Sequence, residues 1–164
     1  MSRAGKGRPA AVIPVGEDCR RIRAGIRPAC EATGGCAVIG GVSKVGIEVE
    51  DQDRAKEFWI GTLGFELVQD TPYQEGERWL EVRTPDKAVV VGLHPRQGER
   101  PTPPDPMLPT SNVWFYCEDL AATHEELSAR GVEFPQPPVE LFFGWWSIFS
   151  DPDGNRFVLM PRGA

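Results

Sequence analysis

Few side chains in this sequence are equipped for chemistry. The chain of 164 residues holds two histidines, His94 and His124, and four cysteines. No Cys-x-x-Cys pair occurs and neither histidine stands at zinc-finger spacing, so no structural zinc site is expected. His94 ends the run "AVVVGLH", directly before Pro95, whereas His124 lies in the polar stretch "ATHEELSAR" and is expected to be solvated. Glu48 follows Lys44 by four positions in "SKVGIEVED" and shares its strand face, where the two have the option of pairing. Glu81 sits between Leu80 and Val82 in "RWLEVRT". Glu48, Glu81 and His94 are the candidates for acid–base work, because carboxylates and imidazole can be tuned to move protons near neutral pH.

The elements that must position these groups occur twice. "SKVGIEVED" alternates as a strand, with Val45, Ile47 and Val49 on one face. "DQDRAKEFWIGTLGFEL" begins with acidic residues, spaces Ala55, Phe58, Trp59 and Leu63 as a helix does, and ends at Gly64. Strands are expected around 66–70, 78–84 and 88–94. The second half repeats the plan: a strand in "SNVWFYCED", a helix in "LAATHEELSARG", and strands in "VEF", "WWSIFS" and "NRFVLM". Glu50-Asp51 and Glu118-Asp119 differ by 68 positions; Gly64 and Gly131, Glu66 and Glu133, and Pro85 and Pro152 differ by 67. A nearly fixed offset through four landmarks implies a duplicated βαβββ unit. The turn "DPDG" needs no function, since Pro presets it and Gly tolerates positive φ.

Charge is unevenly spread. Residues 1–43 carry seven Lys/Arg and three Asp/Glu, and residues 44–164 carry eleven and twenty-one. The acidic second part argues against a nucleic-acid partner, which needs a positive surface. No apolar run is long enough to span a membrane and no secretory h-region is present, so a cytoplasmic protein is the expectation. Residues 1–42 lack periodicity and are read as a poorly ordered extension, with a basic interaction tail as the alternative. The domain then covers 43–164: unit one 43–94, a proline-rich linker 95–109, and unit two 110–161.

Two such units, with "VED…FWIGTLGFEL" early and "DPDGNRFVL" late, resemble the vicinal oxygen chelate superfamily over about residues 43–161. Its members include glyoxalase I, extradiol dioxygenases, fosfomycin-resistance enzymes and bleomycin-resistance proteins. The resemblance implies an α+β fold, two βαβββ units forming a cupped mixed sheet around a cavity, and a homodimer. Metal-using members place ligands on the first and last strand of each unit. Those positions fall on Lys44 and on Val91 or Gly92 in unit one, and on Asn112 and Val158 in unit two. A lysine, two apolar side chains or a glycine, and a weak amide oxygen are a poor donor set. No cofactor is therefore expected, with a divalent metal in a displaced site of Glu48, Glu81 and His94 as the alternative.

The presumed cavity is aromatic. Asn112, Trp114 and Tyr116 share a strand face, and Val113, Phe115 and Cys117 take the packing side. Trp145 joins the face of Val158 if the last hairpin has a plain four-residue turn, and Trp146 joins it if Gly154 forms a bulge. Phe142 and Phe143, in "ELFFGWW", are placed to cover the cavity. Lys44, Glu48, Asn112, Trp114, Tyr116, Trp145, Trp146 and Val158 are thus the expected ligand-binding residues. Aromatic walls with a few carboxylates suit a small aromatic or cationic molecule. Three functions follow: a metal-free binder of such a molecule, which is preferred; a lyase, isomerase, dioxygenase or acid–base enzyme; or a regulatory subunit without a ligand.

Overall fold

Asp51 and Asp119 start the two helices in the same way. The Asp51 carboxylate accepts hydrogen bonds from the Asp53 and Arg54 amides, and that of Asp119 accepts one from Ala122. Both satisfy donors that a first helical turn leaves without partners. The first helix, α1 (Gln52–Lys56), passes into a π-helical segment, Glu57–Thr62, in which the Leu63 amide reaches back to the Phe58 carbonyl. This widened turn lies where the consecutive residues Phe58 and Trp59 are both buried. The second helix, α2 (Leu120–Ala129), is regular.

The computed structural model describes residues 39, 41–73, 78–99, 105 and 108–163. The reading of residues 1–42 thus falls almost wholly outside the described residues, as do positions 100–104 and 106–107 of the connector. Around α1 lie β1 (Lys44–Val49), β2 (Glu66–Pro72), β3 (Arg78–Arg83) and β4 (Val90–Pro95). Around α2 lie β5 (Trp114–Cys117), β6 (Gln136–Leu141), β7 (Gly144–Ser150) and β8 (Arg156–Pro161). The sheet orders are β1-β4-β3-β2 and β5-β8-β7-β6, with β1 parallel to β4 and β5 parallel to β8. The fold is α+β, two four-stranded mixed sheets from two βαβββ units, as the repeat predicts. Among the described residues no helix is long and apolar enough to cross a membrane.

One expected strand is misplaced. "VEF" (132–134) forms no strand; Val132 is buried and Phe134 packs against the core. The strand is Gln136–Leu141 instead, across Pro137 and Pro138. Proline cannot donate to a ladder, but β6 is an edge strand with an irregularity between Gln136 and Val139, so no ladder bond is missed.

The core lies on the helix-facing sides of the sheets, where Ile47, Val49, Leu80, Val82, Val91 and Leu93 meet Phe149, Phe157 and Leu159. Trp59 joins the two sets. It is 0% exposed, and its ring centroid lies 5.1 Å from Phe65, 5.9 Å from Phe58, 5.6 Å from Phe115 and 5.5 Å from Phe157.

The "DPDG" hairpin does more than turn the chain. Gly154, at φ 74°, closes it, and the Asp151 carboxylate accepts from the Asp153 and Asn155 amides at 3.0 and 2.8 Å. Burial nevertheless pushes the Asp151 carboxyl above the usual range. The tip then docks on unit one: Asp153 accepts from the Glu50 amide at 2.7 Å and pairs with Arg54. Asn155 donates to the Glu48 carbonyl at 2.9 Å and accepts from Arg96 at 2.7 Å.

Two outcomes test this account. Trp59→Ala should cost about 3–5 kcal/mol through lost burial and a residual cavity, read as a lower urea midpoint at unchanged slope. At low pH the Asp70 pairs should fail. Arg78 and Lys56 hold the Asp70 carboxyl well below the usual range. A depressed folded-state pKa contributes stability that is present above the unfolded value and lost as pH falls through the folded one. The contribution is modest because the pairs are only part-buried and solvent still screens them. Between about pH 4 and pH 2 the melting temperature should therefore fall slightly more steeply in the native protein than in Asp70→Asn. Equal slopes would detach this pair from acid unfolding.

Candidate small-molecule site

Strand register decides which side chains share the open face of the first sheet. Gly46 pairs with Gly92 and Glu48 with His94 across β1 and β4, and Glu81 pairs with Gly92 across β3 and β4. Lys44, Gly46, Glu48, Trp79, Glu81, Gly92 and His94 therefore lie on the face away from the core. Glu81 is only 5% exposed, and a buried carboxylate must be paired. Lys44 forms an ion pair with it, and the Trp79 indole N–H donates to it at 2.6 Å. The Lys44 ammonium also lies 5.2 Å from the Trp79 ring centroid, within cation–π range. Tyr73 stands 5.1 Å from Trp79, and His94 meets the indole edge-on at 6.3 Å.

The His94 imidazole folds back over two glycines. A Cβ on Gly92 would stand 2.5 Å from His94 Nε2, and one on Gly46 would stand 3.3 Å from Cδ2. Any side chain at 92 would displace the ring. Glu48 points elsewhere: it is exposed, and its carboxylate lies 3.4 Å from Arg96 rather than against Lys44. His124 is half-buried against Phe134, at 4.6 Å between ring centroids, so the expectation of a solvated ring is corrected.

The aromatic residues of unit two divide. Ile148 pairs with Val158, which places Trp146 on the Val158 side and Trp145 on the opposite side of β7. Trp146 has a buried indole N–H without a partner among the described residues, because the counterpart of Glu81 there is Ile148. Leu141 pairs with Gly144, so Phe142 and Phe143 form a two-residue hairpin tip and Phe142 is 100% exposed. It covers nothing in this chain. Asn112, Trp114 and Tyr116 line a separate cavity of about 840 Å³ between the two units. Lys44, Trp79, Glu81 and His94 are not in its lining, so this cleft and the polar set are different places. Convergent polar groups beside aromatic rings, rather than volume, mark the first face as the candidate site. Trp79 and Tyr73 were not singled out from the sequence; the alternation in "RWLEVR", with Trp79 and Glu81 on one side, was the available signal for Trp79.

The register also bears on a metal. The last-strand position of unit one is Gly92, since Gly92 and not Val91 lies on the open face. Lys44, Gly92, Asn112 and Val158 then occupy the four positions to which the resemblance assigns ligands. Lys44 is committed to Glu81, and Gly92 and Val158 offer no donor. No group of three or more His, Cys, Asp or Glu stands close enough to hold an ion among the described residues. The side chains at those four positions are a poor donor set for a divalent metal.

Comparison with known proteins agrees with this frame. The family profile described as the Glyoxalase/Bleomycin resistance protein/Dioxygenase superfamily matches residues 41–159. A superfamily member of known structure from Sphaerobacter thermophilus is 32% identical, with a TM-score of 0.64 over 75% of this chain and 98% of its own. TnmS3, an antibiotic binding protein from a Streptomyces species, is 32% identical, with a TM-score of 0.61 over 76% and 98%. The uncharacterized protein YetH of Bacillus subtilis is 32% identical over 118 residues, 72% of this chain and 95% of its own. A match running from before β1 into β8, together with the doubled βαβββ sheets, makes the chain a member of the glyoxalase/bleomycin resistance protein/dioxygenase superfamily.

Proposed function

We propose that the chain binds a small planar aromatic molecule bearing oxygen acceptors on the open face of the first sheet, without a metal ion. The observation that carries this reading is the Lys44–Trp79–Glu81 set. Glu81 and Trp79 hold the Lys44 ammonium at the mouth of the face, where its remaining N–H donors stand beside aromatic surface. Lys44 already occupies the cation–π position of Trp79, so an acceptor-bearing ligand suits this face better than a cation. Likeness to an antibiotic binding protein supports a small-molecule ligand.

A homodimer belongs to the same proposal. β1 and β5 are each the edge strand of a sheet. A second copy laid along these edges would pair the backbone groups they turn outward.

A second reading has one observation in its favour. His94 lies over Gly92, the cross-strand neighbour of Glu81, so an imidazole and a carboxylate flank the same spot. That pair suits proton transfer.

Thermal unfolding with a panel of polycyclic aromatic antibiotics separates the readings. A ligand should raise the melting temperature, survive a chelator, and be recovered chemically unchanged. Trp79→Ala should weaken its binding about tenfold, in line with stacking worth about 0.5–1.5 kcal/mol. Conversion of the ligand, abolished by Glu81→Gln, would establish the enzyme instead. Light scattering should give twice the mass of one chain; a monomeric mass at micromolar concentration would remove the dimer from the proposal.

A further inference from the structure

The two units meet at two places related by the internal repeat, and the two meetings differ. At one, Asp153 takes the Glu50 amide and the Arg54 guanidinium, Asn155 takes the Glu48 carbonyl, and Arg96 closes over Asn155. Backbone hydrogen bonds identify the counterparts at the other. Arg96 N–H donates to the Val49 carbonyl at 2.9 Å, as Arg162 N–H does to Cys117 at 2.8 Å. Asp151 N–H donates to the Asn155 carbonyl at 3.0 Å, as Thr84 N–H does to Val89 at 3.0 Å. Asp86 therefore stands for Asp153, Val89 for Asn155, Arg162 for Arg96, and Ala122, 68 positions after Arg54, for the guanidinium.

The carboxylate is kept and the helix cation that faces it at the first meeting is replaced by Ala122. Where the first meeting is packed with polar contacts, the second is the cavity of about 840 Å³, with Asp86, Val89 and Arg162 in its wall. Val45, Phe65, Val91, Phe115, Leu127 and Leu159 make its apolar floor. Asp86 accepts from Thr84 at 2.5 Å, from the Ala88 amide at 3.0 Å and from the Tyr116 hydroxyl. These donors, Thr84 first and then Tyr116, hold its pKa down to about 2, so it is ionised at working pH. None of its hydrogen-bond partners among the described residues is a cation. Arg162 reaches Asp86 only through Tyr116: it stacks on that ring at 4.1 Å, donates to its hydroxyl at 2.5 Å and pairs with Glu118 at 2.8 Å. Arg130 pairs with Glu126 and donates to the Thr62 carbonyl.

We propose that this cleft is a binding site for an amphipathic organic cation. The apolar body lies on the floor, and an ammonium, amidinium or guanidinium group meets Asp86 as Arg54 meets Asp153. The volume falls within the range of small-molecule pockets, about 300–1,000 Å³. The site is separate from the face of Trp79, so either can fail without the other.

Calorimetric titration of the full chain with decyltrimethylammonium and with decyl sulfate, each below its micellar concentration, tests it. The cation should bind saturably and at least about tenfold more tightly than the anion. Asp86→Asn should remove that preference, and Trp79→Ala should leave it intact. Ala122→Arg with Val89→Asn, which rebuilds the polar contact, should abolish binding of the cation. Equal affinity for the two amphiphiles, no binding of either, loss of binding in Trp79→Ala, or a preference that survives in Asp86→Asn would overturn the proposal. Should the double variant lose its circular dichroism, Asp86→Asn, which keeps the side-chain size, decides alone.

Discussion

The structure depends on the burial of one indole. Trp59 sits in the first unit, yet two of its four ring neighbours, Phe115 and Phe157, belong to the second. Each βαβββ unit has a four-stranded sheet and one helix, which leaves part of its apolar face uncovered. The ring fills that gap from one side while the phenylalanines fill it from the other. A burial of this kind has no direction of its own, so the polar contacts of Asp153 and Asn155 at the rim set how the units are turned.

Duplication supplied the frame, and divergence supplied the sites. On the first sheet the open face has Lys44, Glu81 and two glycines under His94; on the second, Asn112, Ile148 and Val158 stand at the matching places. The same hydrogen-bonded skeleton thus presents a charged pocket floor once and an apolar one once. Trp79 and Trp146 show the consequence. Both are indoles at the same strand position, but only Trp79 has a carboxylate for its N–H. The paired contacts at the unit boundary follow the same rule, closed where Arg54 reaches Asp153 and open where Ala122 stands in place of that arginine opposite Asp86.

Much of the fold was legible because it rests on local signals. Strand alternation, the Asp caps, the glycines after the helices and the 67–68 offset each depend on neighbours in sequence. The β6 strand was missed because its prolines read as breakers, and only its place at a sheet edge excuses them. The π-helical widening at Glu57–Thr62 likewise has no local signature in "EFWIGT".

The site divides along the same line. The amino-acid sequence by itself determined the duplicated α+β frame, the superfamily to which it belongs, and the poor donor set at the four expected metal positions. It left open Val91 or Gly92, and Trp145 or Trp146, because a hairpin longer by one residue exchanges the faces of a strand. Tertiary structure decided those, and gave Lys44 to Glu81 rather than to Glu48. It alone moved Trp114 and Tyr116 to a cleft between the units, away from Trp79. The physical reason is that periodicity fixes which side of an element a residue takes. Which surface meets that side depends on packing between residues far apart in the chain.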